Sequence, residues 1–161
     1  MNHGADVKVK DKEGRIALHD VTLFQSKYTI DVMRSLLKHG SYGNKTDIEG
    51  KTPLHLAVNR GTELTASIVE FLLDHGADVK EKDEDGRTAL HCATRSQSKY
   101  TLDVIKILVK HGSYVNEKDK PRGMPPLRCA VDRKTEWTAS IFKYLIEQGA
   151  VRPSMNRFCK I

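Results

Sequence analysis

Asp47-Ile48-Glu49-Gly50-Lys51-Thr52-Pro53-Leu54-His55-Leu56-Ala57-Val58 is the stretch from which the fold can be read. Thr52 is a good helix N-cap, and Pro53 suits the first helical position, where its missing N–H costs nothing. A short helix through Leu54, Ala57 and Val58 follows. Ahead of it, Asp47 and Gly50 bound a tight turn whose carboxylate can accept nearby backbone N–H groups. Beyond a connecting loop, Thr65 can cap a second helix. Ile68, Val69, Phe71, Leu72 and Leu73 give that helix an apolar face too wide for one neighbour, and Gly76 can end it in a left-handed conformation.

The same pattern returns every 36 residues. Gly14, Gly50 and Gly86 are so spaced, as are Leu18, Leu54 and Leu90, His19, His55 and His91, and Gly40, Gly76 and Gly112. A fourth copy with one extra residue supplies Leu127 and Gly149. Residues 1–161 therefore form a single array: a partial unit in 1–10 (His3 to Val7), units at 11–46, 47–82, 83–118 and 119–152, and a tail at 153–161. A second period overlies the first, because residues 3–44 match 75–116 at 28 of 42 positions, while 11–46 match 47–82 at only 10 of 36. The pair of units was itself duplicated. Gln25 to Thr29 recurs at Gln97 to Thr101, and Thr65 to Ile68 at Thr138 to Ile141. Thr29, Thr101 and Thr138 fall at the Thr65 position, and Asp31 and Asp103 in the first helical turn, where the helix dipole favours an acid. The spacing predicts an all-α solenoid of stacked helix-turn-helix units.

At Thr52-Pro53-Leu54-His55-Leu56-Ala57, preceded by Asp47 and Gly50, the chain resembles the ankyrin repeat, as does the second-helix ending Leu72-Leu73-Asp74-His75-Gly76-Ala77-Asp78-Val79. The third unit keeps Thr88-Ala89-Leu90-His91 and the first Ile16-Ala17-Leu18-His19, whereas Pro125-Pro126-Leu127-Arg128 replaces the histidine in the fourth, where Pro121 and an inserted residue disturb the turn. The family period is about 33 residues, so each unit here has a lengthened inter-helix loop between positions such as Gly61 and Ile68. The resemblance implies short hairpin fingers, a concave groove where partners bind, and repeat histidines that hydrogen-bond within and between units.

Other classes find little support. Hydrophobic residues make up 39% of 161 and charged residues 30%, which is the ordinary soluble range. Apolar runs such as Ile107-Leu108-Val109 are far short of the roughly 20 residues a bilayer needs, so no membrane is expected. Residues 1–10 have no apolar signal-like core. Three cysteines make no disulfide framework and point to reduced thiols in a cytoplasmic setting, or in the cytosol or nucleus of a host cell if the chain is an effector. The net charge of +6 is spread among interleaved acids, as in Lys80 to Asp85, so nucleic acid ranks low among partners. His19, His55 and His91 occupy one register, and His3, His39, His75 and His111 another, as structural residues do. Cys92 and Cys129 are equivalent positions on stacked helices, too far apart for a disulfide. With no C-x-x-C pair, phosphate loop, G-x-S-x-G elbow or H-E-x-x-H helix, neither metal, cofactor nor enzymatic activity is expected.

What varies between units is surface. Carried over by position, the finger tips are Lys12, Glu13, Ile48, Glu49, Glu84, Asp85, Lys120 and Arg122. Residues on or just after the first helix are Leu23, Phe24, Asn59, Arg60, Arg95, Ser96, Asp132 and Arg133. Arg60, Arg95 and Arg133 beside Arg15, Lys51 and Arg87 suggest a basic groove wall for an acidic partner segment, with Leu23 and Phe24 as an apolar anchor. Tyr28, Leu64, Tyr100 and Trp137 share one loop position and form a column that either packs to close the loops or serves as a second binding ridge. The first helix of unit one, including Leu18 and Val21, is expected to lack a neighbour, which implies either a longer array or self-association. Lys143, Glu147, Arg152 and Arg157 suit a modest cap at the other end. A non-catalytic protein-interaction module, regulatory, inhibitory or scaffolding, ranks first. Second comes a substrate-recognition segment of a larger adaptor, linked to a ubiquitin ligase or aimed at host targets. A nucleic-acid binder is third.

Overall fold

The computed structural model describes residues 6–96 and 98–152. The assignments made to His3 through Ala5, Gln97, Arg157 and the tail at 153–161 lie outside the described residues. Within them, eight helices run in four pairs: α1 Ala17–Leu23 with α2 Thr29–Lys38, α3 Pro53–Val58 with α4 Thr65–Asp74, α5 Ala89–Ser96 with α6 Thr101–Lys110, and α7 Pro126–Arg133 with α8 Thr138–Glu147. First helices pack on first helices and second on second, unit after unit. The core is therefore a set of columns: Leu18, Leu54, Leu90 and Leu127 are all 1% exposed or less. None of the described helices is long and apolar enough to cross a membrane.

Local chemistry ends the elements as the repeat pattern requires. Thr52 accepts the His55 N–H at 3.5 Å, and Pro53 opens α3. Each second helix closes on a left-handed glycine. In α4, Ala77 N–H reaches Leu72 O at 2.9 Å and Gly76 N–H reaches Leu73 O at 3.1 Å, with Gly76 at φ +88°, the paired bonds that satisfy the last carbonyls of a helix.

Two expectations are corrected. Thr65 is the first residue of α4, not its cap; its hydroxyl accepts the Thr62 N–H at 3.0 Å, and Thr29, Thr101 and Thr138 serve Ser26, Ser98 and Thr135 in the same way. The cause is a turn before the helix, closed by Thr65 N–H to Thr62 O at 3.2 Å, which leaves the Thr62 amide as the one needing an acceptor. Leu18 is likewise not left without a neighbour. It is 0% exposed, because α1 packs against both α2 and α3. Val21 is only partly buried, so the open face of unit one includes Val21 but not Leu18.

Candidate functional site

Fingers and first helices build the candidate surface. Each finger is wound around its aspartate. Asp47 Oδ1 accepts the Glu49 and Lys51 N–H groups at 2.9 and 2.8 Å, and Asp11, Asp83 and Asp119 act alike. Successive fingers are then linked through their backbones, with Ile48 N–H to Glu13 O at 3.0 Å, Glu84 N–H to Glu49 O at 3.1 Å and Lys120 N–H to Asp85 O at 2.7 Å. Gly50 sits at φ +73°, and a Cβ there would lie 2.8 Å from the Glu84 nitrogen, so the close approach of fingers requires glycine.

The histidines underneath hold this geometry. His55 Nδ1 accepts the Thr52 N–H at 3.2 Å, which leaves Nε2–H to donate to Arg87 O of the next unit at 3.0 Å. His19 bridges Ile16 to Lys51 O in the same way, and His91 bridges Thr88 to Met124 O. Burial pushes all three imidazoles below their ordinary pKa, so they are neutral and committed on both nitrogens. His39 and His75 instead approach the carbonyls of Ser35 and Phe71 through Nδ1, at 2.7 and 2.8 Å, at helix ends.

Charge along the groove is uneven. Arg15, Lys51 and Arg87 are each paired with an acid of their own finger, Glu13, Glu49 and Asp85; the latter two pairs measure 2.7 and 2.6 Å. In unit four Met124 stands in the basic position and Arg122 in the acidic one, so the last finger, with exposed Lys120 and Arg122, is cationic. Arg95 and Arg133 are exposed on the helix side. Among the described residues neither has an acid within ion-pair reach, since Asp132 is engaged by Arg128 at 3.3 Å. Arg133 Nε instead donates to Arg95 O at 3.0 Å.

The groove accordingly divides in two. A depression of about 400 Å³ gathers Lys51, Asn59, Asp83, Arg87, Cys92, Arg95, Ser96 and Arg133. A second of about 310 Å³ gathers Glu13, Arg15, Leu23, Asp47, Ile48, Glu49 and Leu56. Many of the residues picked from the sequence are thus brought together. Arg60 is exposed but does not line the cationic depression, and Phe24, 76% exposed, lies outside the apolar one. Lys12, Glu84 and Asp85 are exposed at the tips. Sequence reasoning gave Asp47 and Asp83 a turn role only, and it also missed as lining residues Leu56 and Cys92. They occupy one position that reads Asp20, Leu56, Cys92 and Cys129 through the units, and that variation was the available signal. Cys92 is a free thiol, which burial pushes up to about 12 and so keeps protonated.

The loop column splits. Leu64 and Trp137 are partly buried against the core, whereas Tyr28 is 59% exposed and Tyr100 partly so, each with its preceding lysine over the ring, Lys27 and Lys99 at 4.8 Å. The four thus share a loop position but differ in packing.

A helical array whose interior repeats while its groove varies is a repeat solenoid. Three overlapping matches to a family model described as ankyrin repeats (3 copies) cover residues 1–83, 23–119 and 63–157, and the chain belongs to that family. Its members generally serve as protein–protein interaction modules and are generally not catalytic. No curated protein matches the chain.

Proposed function

We propose that this array is a non-catalytic module that takes an extended partner segment along its concave groove. Acidic side chains of the partner sit over Arg95, Arg133 and the fourth finger, and an apolar end lies against Leu23, Ile48 and Leu56. One observation carries the reading: Arg15, Lys51 and Arg87 are each paired with an acid of their own finger, while Arg95 and Arg133 are offered to solvent without an acid partner among the described residues. Unpaired arginines at a concave surface are the groups from which an acidic partner gains most.

Affinity capture followed by calorimetric titration of each recovered protein tests this. The Arg95→Glu/Arg133→Glu variant should weaken a groove partner at least tenfold, about 1.4 kcal/mol, without lowering thermal stability, because both residues are exposed. Unchanged affinity of every recovered partner for the Arg60/Arg95/Arg133 triple glutamate variant would remove the acidic-segment reading.

A further inference from the structure

The two ends of the array show which residues face forward and which face backward. Ala57, Ile68 and Leu72 in unit two, Ala93, Val104 and Leu108 in unit three, and Ala130, Ile141 and Leu145 in unit four are all at most 2% exposed. Their counterparts in unit one are Val21, Val32 and Leu36; Val32 is 43% exposed, and the other two are partly so. These are the backward-facing positions. Forward-facing ones behave in mirror fashion: Val58 and Val69, like Thr94 and Ile105, are at most 1% exposed, while Val131 and Phe142 of unit four are only partly buried. End units of a solenoid normally carry polar outer faces. Here both stay apolar at the centre.

Because the array is a duplicated pair, an internal junction shows what would fit. Unit one repeats unit three, and unit four carries the Thr-Ala-Ser-Ile of unit two. The junction of units two and three is thus a template for unit four meeting unit one. At the ends of the second helices of that junction, Asp74 Oδ1 lies 3.9 Å from His111 Nε2. The corresponding residues of units four and one are Glu147 and His39, again acid and histidine, both exposed. The other two internal junctions put Lys38 opposite His75 and Lys110 opposite Gln148, so the acid–histidine pair belongs to this type of junction alone.

We infer that a second copy of this chain docks head to tail, setting Val131 and Phe142 of one copy against Val21, Val32 and Leu36 of the next, with Glu147 beside His39. Val21 replaces Ala93 and Phe142 replaces Val69, so both changes add bulk. The units stand further apart than inside the array, and the association is weaker than an internal junction. Gly149 to Arg152 occupies the place that Gly4 to Val7 takes in the sequence register, and Asn116 holds Gly149 O and Val151 N–H at 2.9 and 2.8 Å. Among the described residues of the receiving copy, Asp6 and Val7 share that register and must therefore yield. The contact is heterologous and leaves one face of each copy open, so it gives chains and not only dimers.

Sedimentation velocity at rising concentration tests this on the whole chain. The sedimentation coefficient should climb with concentration, and faster after deletion of residues 1–7. Val32→Glu and Phe142→Glu should each abolish the climb, while their equimolar mixture forms a dimer and nothing larger, since each keeps one intact face. If Phe142→Glu fails to fold, Glu147→Lys takes its place, and adding His39→Glu to that variant should restore association. A chain that stays monomeric at every concentration overturns the inference. So does association that survives Phe142→Glu or Glu147→Lys, which would mean pairing through two N-terminal faces.

Discussion

Acidifying the solution should unfold this protein in a pH window set by three buried histidines. His19, His55 and His91 are 0%, 1% and 0% exposed, and each uses Nδ1 as an acceptor and Nε2–H toward the next unit's backbone. Protonation would place a second N–H where an amide already donates, and a charge where water is absent. Their folded pKa values accordingly lie below the ordinary 6.5, burial being the main cause. The sign follows: the unfolded chain binds these protons first, so stability is full above pH 6.5 and falls as pH drops below it toward the folded values. Each imidazole that remains neutral in the fold costs up to about 1.4 kcal/mol per pH unit in that range, so three cost up to about 4 kcal/mol. Against a typical domain stability of about 5–15 kcal/mol this is a large share. The carboxylates of Asp11, held low chiefly by the Arg15 N–H, and Glu117, held low by Lys82, act only at more acid pH. Urea unfolding followed by far-UV circular dichroism between about pH 7.5 and 5.5 gives the slope directly. His55→Gln should lower stability throughout and remove about a third of the slope. Equal stability at the two ends of the range would refute the assignment of neutral, doubly bonded imidazoles.

Further outcomes follow from single positions. Ser41 and Ser113 bury hydroxyls with no hydrogen-bond partner among the described residues, where units two and four carry Ala77 and Ala150; Ser41→Ala and Ser113→Ala should each raise stability by about 1 kcal/mol in thermal melts, and a lower melting temperature would contradict it. Lys134 holds φ +49° where its counterpart Gly61 holds +61°. Lys134→Gly should therefore gain about 1 kcal/mol, read by urea unfolding, and no gain would show the left-handed turn to be unstrained. The Cys92 thiol, raised to about 12 by burial, should be labelled by an aromatic disulfide reagent only as fast as the protein unfolds; peptide mapping that finds it modified rapidly in the native state would speak against the burial.

Much of the fold was legible from the chain alone because periodic packing makes equivalent residues experience equivalent surroundings. Leu54 recurs as Leu90 and Leu127 and proves buried in each, and the aspartates that open the fingers gather backbone N–H groups as their recurrence implied. Legibility failed where a residue's role depends on neighbours in the next turn or the next unit. The Thr65 hydroxyl reads as a cap by composition, but the turn at 62–64 redirects it. Tyr28, Leu64, Tyr100 and Trp137 share a register and still part company, two against the core and two at the surface.

Sequence by itself determined the unit, its two helices, the order of the stack and the columns that fill it, since these depend on short-range propensity and on a period that any copy can satisfy. Only the tertiary structure decided which groove cations are already neutralised and which are offered, and that Leu18 is interior while Val32 is open. Those facts depend on distances between residues some 35 positions apart, such as Arg133 Nε to Arg95 O. A repeat brings such residues into adjacent units, but the packing of each junction sets how close they come.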